Sequence, residues 1–394
     1  MINTGYNNSS LKHRNRGTIL RLLATGKCSS RIELARETGL SKMAASNVVS
    51  EFISEGIIEE KEKQKTVGKG RNPIVLEIAP GAPKILGVHI SRNKCGVSLC
   101  DFKLDVLEER SVDITTGNPD RLFSDLFKIM DSVLEKHSNE KILGIGVGVL
   151  GPADVERGVI LDPPDFFGMH NLDVLGMLRG RYDLPVIIGH EYDCATLAEK
   201  FFGAGRDLDS FAYVGISRGV GSGVIHDGRL HRSENEFNSE LGHVSIDING
   251  PLCSCGRRGC LETYISTNVL EEKFREATGE DLSFKGFCIK YKDRGPESFE
   301  KVFYEATEKF ATTLTNAVNY TGNLNYILGH DGRYIPDRFV EDCAKKVDGQ
   351  MMFRGLRRLK LIKSDVHNEV FSSTCACAIL EMVFMGDMSF VHSV

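Results

Sequence analysis

The stretch KILGVHISRNKCGVSLCDFKLDVLEE, Lys84–Glu109, reads as three consecutive strands broken by two short polar turns. An amphipathic helix follows in RLFSDLFKIMDSVLEKH (121–137). Then ILGIGVGVLGPAD (142–154) gives a buried strand running into a turn. Far downstream, FAYVGISRGVGSGVIHDGRL (Phe211–Leu230) repeats the opening phrase. Ile90-Ser91-Arg92 recurs as Ile216-Ser217-Arg218, and each copy leads into a Gly/Val strand and an Asp-x-Lys/Arg-Leu turn. Two β-β-β-α halves imply two lobes with a cleft between them.

Upstream lies a segment of another character. Residues 1–72 hold 13 Lys and Arg against 7 Glu and no Asp, while the rest of the 394-residue chain holds 36 basic and 47 acidic side chains. A head of net +6 on a body of net −11 suggests that only the head meets a polyanion. Overall the chain is 41% hydrophobic and 26% charged, ordinary for a globular protein. Its purest apolar run, 142–150, has nine residues of which three are Gly, short of the ~18–20 a membrane span needs. The start, MINTGYNNSSLKHRNRG, lacks the apolar core of a signal peptide. Fibrous, disordered and membrane classes are excluded, and the expected address is cytoplasmic.

Within the head, LKHRNRGTILRLLATG places Leu11, Ile19, Leu22 and Leu23 at helical spacing. Ser30 caps a short second helix, with Glu33 completing a capping box, and Gly39 stops it. Ser41 caps a third helix whose apolar stripe is Ala45, Val48, Val49, Phe52 and Ile53. Helix, Gly-Leu-Ser turn and helix describe a helix-turn-helix, whose second helix reads the major groove from its N-terminal end. The candidate DNA-facing residues are Ser41, Lys42, Met43, Ala44, Ser46 and Asn47. Asn pairs with adenine, Lys reaches guanine or phosphate, and apolar atoms touch the thymine methyl. Two strands around GKGRNP form a wing, with Lys69 and Arg71 facing phosphates or a minor groove. A helical protein–protein module is the alternative. Pro80–Pro83 (PGAP) reads as the linker.

Three of the eleven cysteines fall within eight residues of SELGHVSIDINGPLCSCGRRGCLET (239–263). Cys253, Cys255 and Cys260 with His243 supply one imidazole and three thiolates, a closed four-coordinate structural zinc set. Buried inert thiols or a redox pair are the alternatives. Cys375 and Cys377 read as core.

This combination resembles the ROK family of sugar-responsive repressors and sugar kinases. Glu240-x-x-His243 followed by CSCGRRGCLE (253–262) matches the family's signature and zinc motif, and the likeness extends over essentially the whole chain. The basic head resembles the winged helix of the repressor branch. The resemblance implies an N-terminal α+β winged helix-turn-helix followed by an α/β actin-like (ribonuclease H-like, hexokinase-type) two-lobed domain. The expected domains are 1–79 for the head, 80–200 completed by 372–394 for the first lobe, and 201–371 for the second. It also implies that a sugar or sugar phosphate binds at His190, Glu191, Glu240, His243 and Glu262.

The chain departs from the kinase members at the residues that perform catalysis. In LPVIIGHEYDCATLAE (184–199), His190-Glu191 stands where kinases carry Asn-Asp, the Asp being the base on the sugar hydroxyl. Kinases open with Asp-x-Gly-Gly-Thr, and this chain has His89-Ile90-Ser91-Arg92-Asn93. GISRGVGSG (215–223) and LGHDG (328–332) depart from the other two nucleotide loops. Phosphoryl transfer depends almost wholly on that positioning, so no catalytic residue is assigned. The expectation is a DNA-binding repressor with structural zinc, acting as a homodimer or tetramer on double-stranded operator DNA. A sugar kinase with a regulatory head and a regulator sensing another protein are the competing readings.

Overall fold

The structure, a computed structural model, describes residues 8–62, 74–232, 239–366 and 371–388. The wing tip, with Lys69 and Arg71, lies outside them. The chain divides into two compact units, Met1–Cys194 with Asn368–Val394, and Ala195–His367.

The first unit begins with α1 (Asn8–Ala24), α2 (Arg31–Thr38) and α3 (Lys42–Ser54), then an antiparallel pair, β1 (Ile58–Glu62) and β2 (Ile74–Ile78). Ile19, Leu20, Leu34, Ala45, Val49 and Phe52 form the core of this head. Leu11, expected on the apolar face, is instead exposed. The capping of α2 also differs in detail. The Ser30 hydroxyl accepts from the Glu33 N–H at 3.3 Å, but the Glu33 carboxylate reaches one residue further back, to the Ser29 N–H at 2.7 Å. That N–H holds Glu33 below the ordinary carboxylate range.

Next come β3 (Lys84–Ile90), β4 (Lys94–Cys100), β5 (Val106–Asp113), α4 (Pro119–Lys136) and β6 (Ile142–Val149). A small three-stranded patch, β7 (Ala153–Asp154), β8 (Val159–Ile160) and β9 (Leu172–Asp173), leads to α5 (Val174–Arg179) and β10 (Val186–His190). The main sheet has the order β10-β6-β3-β4-β5. Its face is covered by α4, whose Leu122, Leu126, Met130 and Val133 are buried. Helix α6 (Glu191–Phe201) carries the chain into the second unit.

There β11 (Phe211–Ile216), β12 (Val220–His226) and β13 (Arg229–Leu230) precede the cysteine-rich loop. After it come α7 (Glu262–Ile265), α8 (Thr267–Thr278), α9 (Phe284–Lys290), α10 (Glu297–Thr321), β14 (Asn325–His330), α11 (Asp337–Gln350) and β15 (Lys360–Lys363). The sheet order is β13-β12-β11-β14-β15. Each sheet has the same plan. The first strand pairs antiparallel with the second and parallel with the fourth, and the fourth pairs parallel with the fifth. The Ile-Ser-Arg echo therefore marks one topological position twice, the turn between first and second strands. In each turn the serine hydroxyl donates to a backbone carbonyl, Ser91 to Lys94 and Ser217 to Gly219.

The chain ends in α12 (Ser372–Cys375) and α13 (Cys377–Met385), which return to the first unit. Cys375 and Cys377 are fully buried there. Among the described residues, no helix is long and apolar enough to cross a membrane.

Candidate functional site

The cysteine-rich loop is shaped by backbone contacts that only glycine permits. Leu241–His243 forms a 3-10 turn against β12, and a Cβ on Gly242 would collide with the Val220 carbonyl. Gly259 has φ +64 and lies against the Asp247 carbonyl. Within this frame the donor atoms of His243, Cys253, Cys255 and Cys260 all lie within 4.8 Å of one another. Cys255 Sγ is 3.7 Å from Cys260 Sγ, and Cys253 Sγ is 3.5 Å from His243 Nδ1. A tetrahedral zinc with Zn–S about 2.3 Å and Zn–N about 2.0–2.1 Å separates two sulfurs by about 3.8 Å, and sulfur from nitrogen by about 3.5 Å. The donor set fits such an ion. Burial and the two neighbouring thiols push Cys260 up to about 12, a penalty that a cation among them reverses. The four residues can hold a metal ion.

Around this loop, Glu262 opens α7, and its Oε2 accepts the Val220 N–H at 2.9 Å, pinning the start of β12. Glu240 precedes the 3-10 turn and is exposed to solvent. The protein packed around it still raises its carboxyl above the ordinary range, with His243 opposing and Glu262 adding to the rise.

In the first unit, His190 ends β10 and Glu191 begins α6. His190 is 5% exposed, and its buried Nε2 has no hydrogen-bond partner among the described residues. Burial pulls it down to about 4, with Glu191 opposing, so its ring is neutral at pH 7. Beside it the Nε2–H of His89 donates to Glu191 Oε2 at 2.7 Å. Sequence reasoning noted residue 89 only as a missing aspartate. The signal was there, since both departures from the kinase pattern, at 89 and at 191, are halves of one contact.

Side chains occupy the turns after β3 and β14. Arg92 Nε donates to the Pro164 carbonyl at 3.2 Å. His330 sits at φ +52, with Nδ1 2.8 Å from the Tyr213 hydroxyl, to which its own N–H donates at 3.0 Å. The ring thus occupies the turn where kinase members place paired glycines.

The head presents a candidate nucleic-acid face. The Ser41 hydroxyl accepts from the Ala44 N–H at 3.1 Å and so caps α3. Lys42, Met43 and Asn47 are exposed, and Ala44 and Ser46 are half-buried. Lys42 enters no ion pair among the described residues. Part of the head's basic charge is spent internally. Arg16 is buried, bonds Glu51 and Glu55 at 2.6 Å each, and lies 4.3 Å from the Phe52 ring centroid. This clamps α1 onto α3. Lys12 and Arg31 pair with Glu51 and Glu60.

A five-stranded sheet of this order, present twice, is the actin-like fold. The chain belongs to the ROK family, whose sequence pattern matches residues 85–351. It is 25% identical over 389 residues to a xylose repressor of Caldicellulosiruptor bescii, covering 95% of this chain and 97% of the relative. Among solved structures it is similar to a ROK family transcriptional regulator, homolog of the E. coli MLC protein. That match has TM-score 0.79 and 22% identity, over 96% of this chain and 98% of that one. A ROK hexokinase from Thermus thermophilus has TM-score 0.62 and 23% identity, but covers only 75% of this chain against 97% of its own.

Proposed function

We propose that this protein is a DNA-binding transcriptional repressor released or recruited by a sugar. Its head, 1–79, acts as a winged helix-turn-helix, with lobes over 80–200 plus 372–394 and over 201–371. Ser41, Lys42, Met43, Ala44, Ser46 and Asn47 face the major groove, and Lys69 and Arg71 of the wing contact the backbone or a minor groove. His190, Glu191, Glu240, His243 and Glu262 recognise the sugar. His243, Cys253, Cys255 and Cys260 hold a structural zinc that fixes the loop carrying His243. It works in the cytoplasm as a homodimer, since a two-fold operator needs two half-site readers.

The observation that carries this reading is the buried His190 Nε2, without a partner among the described residues and beside a carboxylate, in the same compact unit as the three-helix head. A buried polar atom left unpaired costs about 1–3 kcal/mol, and a ligand hydroxyl would satisfy it. The filled nucleotide turns favour repressor over kinase, as do the names of the full-length relatives. A ligand shifts DNA affinity only by its differential affinity for two states of the protein.

The test is fluorescence anisotropy of the full chain on DNA from its own upstream region, at several salt concentrations, with and without a panel of sugars and sugar phosphates. The expected result is sequence-specific binding altered by one sugar. Lys42→Ala should weaken binding to all sequences and lower the salt slope by about one, while Asn47→Ala should relax specificity at one position. Binding no tighter than to random DNA would overturn the reading, and ATP-dependent phosphorylation of a panel sugar would replace it with the kinase.

A further inference from the structure

We infer that His89 is a positioning residue of the sugar site, holding the Glu191 carboxylate in the orientation that accepts hydroxyl groups of the ligand. The inference deepens the sugar-binding reading above and rests on it. Residues 89 and 191 are 102 positions apart, on β3 and at the start of α6, yet their side chains meet at 2.7 Å. Both are largely buried, with side-chain exposures of 9% and 15%. The extra methylene of Glu relative to Asp lets the carboxylate reach back to β3. The two departures from the kinase pattern therefore compensate each other.

The His89 ring is itself fixed. Phe371 packs edge-on against it, with ring centroids 6.0 Å apart. Glu191 is thereby held from behind by a rigid donor. A carboxylate whose Oε2 already accepts an imidazole N–H is a weaker base and a better-oriented acceptor. Glu191 then serves as a ligand-holding group and no longer as a proton acceptor for phosphoryl transfer. With His190 next in the chain, the pair reads hydroxyls. Groups of this kind discriminate strongly against an analogue that lacks the hydroxyl.

The experiment is calorimetric titration of the full-length protein with the same panel of sugars and sugar phosphates, D-xylose and D-glucose among them, comparing wild type, His89→Gln, His89→Asn and Glu191→Ala. Gln carries an amide N–H out to the position of the ring Nε2, and Asn is too short to reach Glu191. We expect His89→Gln to bind within about threefold of wild type. His89→Asn should weaken binding about tenfold or more, the loss of one charged hydrogen bond. Circular-dichroism melts without sugar check that both variants fold. Equal affinity of His89→Asn and wild type, with Glu191→Ala abolishing binding, overturns the role of His89 and leaves the sugar site standing. Equal weakening by Gln and Asn also overturns it, because residue 89 would then only fill space. Wild type that binds no sugar or sugar phosphate of the panel, with DNA binding unchanged by any of them, overturns the sugar-site reading and this inference together.

Discussion

A neutral imidazole kept out of water has a pH signature that separates it from a surface histidine. Folded His190 titrates near 4, well below the ordinary value of 6.5, because burial disfavours its charged form. As the pH falls, the unfolded chain takes up this proton first. The folded state therefore keeps the full contribution above about pH 6.5 and loses it progressively down to about pH 4. At pH 5 the loss is about 2 kcal/mol from this residue. His190→Gln removes the titration. Denaturant unfolding at pH 7 and pH 5 should show wild type losing about 2 kcal/mol more than the variant across that interval. Equal losses would mean that His190 is solvated in the folded protein. His190→Ala should bind sugar weakly, because no polar atom then lies where the ring Nε2 was.

At the scale of elements, the cysteine-rich loop has few apolar residues to hold it, and Ile248 and Leu252 are 82% and 66% exposed. Its order comes from glycine-enabled turns, two isolated bridges (Ser245 with Cys260, Leu252 with Arg258) and the four converging donors. Mass spectrometry of the purified protein should find about one zinc per chain. Cys255→Ser should lower metal content and melting temperature together, whereas Cys288→Ser, at a buried thiol outside the cluster, should leave metal content unchanged. Loss of melting temperature with full metal content in Cys255→Ser would sink the assignment. This loop was legible in the sequence because ligand spacing is local. The second and third helices of the head were legible for a similar reason, since caps and turns are written within a few residues of where they act. The duplicated sheet was legible through its repeated turn. The His89–Glu191 and Tyr213–His330 contacts were not, because each joins residues more than 100 positions apart, and local pattern carries no information about such pairs. Arg16 misled in the other direction. It counts as surface charge in composition, yet it is buried between two glutamates and a phenylalanine ring.

At the scale of the whole molecule, a repressor must connect its DNA-reading head to the part that senses the ligand. Helices α1 and α13 meet where that connection would run. Helix α1 packs on α13, and both belong to the first compact unit. The approach is backbone to backbone. A Cβ on Gly17 would stand 2.6 Å from the carbonyl oxygens of Val383 and Phe384, and one on Gly386 would stand 2.6 Å from the His13 carbonyl. Gly386 also sits at φ +81, capping α13, so a side chain there is strained twice. Since α13 lies against β6 and β10, the strand that ends in His190, the junction links the head to the sheet that bears His89 and His190. Gly17→Ala should destabilise the protein by about 1–3 kcal/mol through overpacking that backbone atoms cannot relieve. The effect on signalling should be larger than the effect on DNA affinity, because Gly17 packs on α13 and is not among the groove-facing residues proposed above. Anisotropy with operator DNA should therefore show Gly17→Ala binding within a few-fold of wild type, with a reduced response to the sugar. A variant that loses stability but responds to sugar as fully as wild type would show that the α1–α13 junction holds the head in place without transmitting the signal.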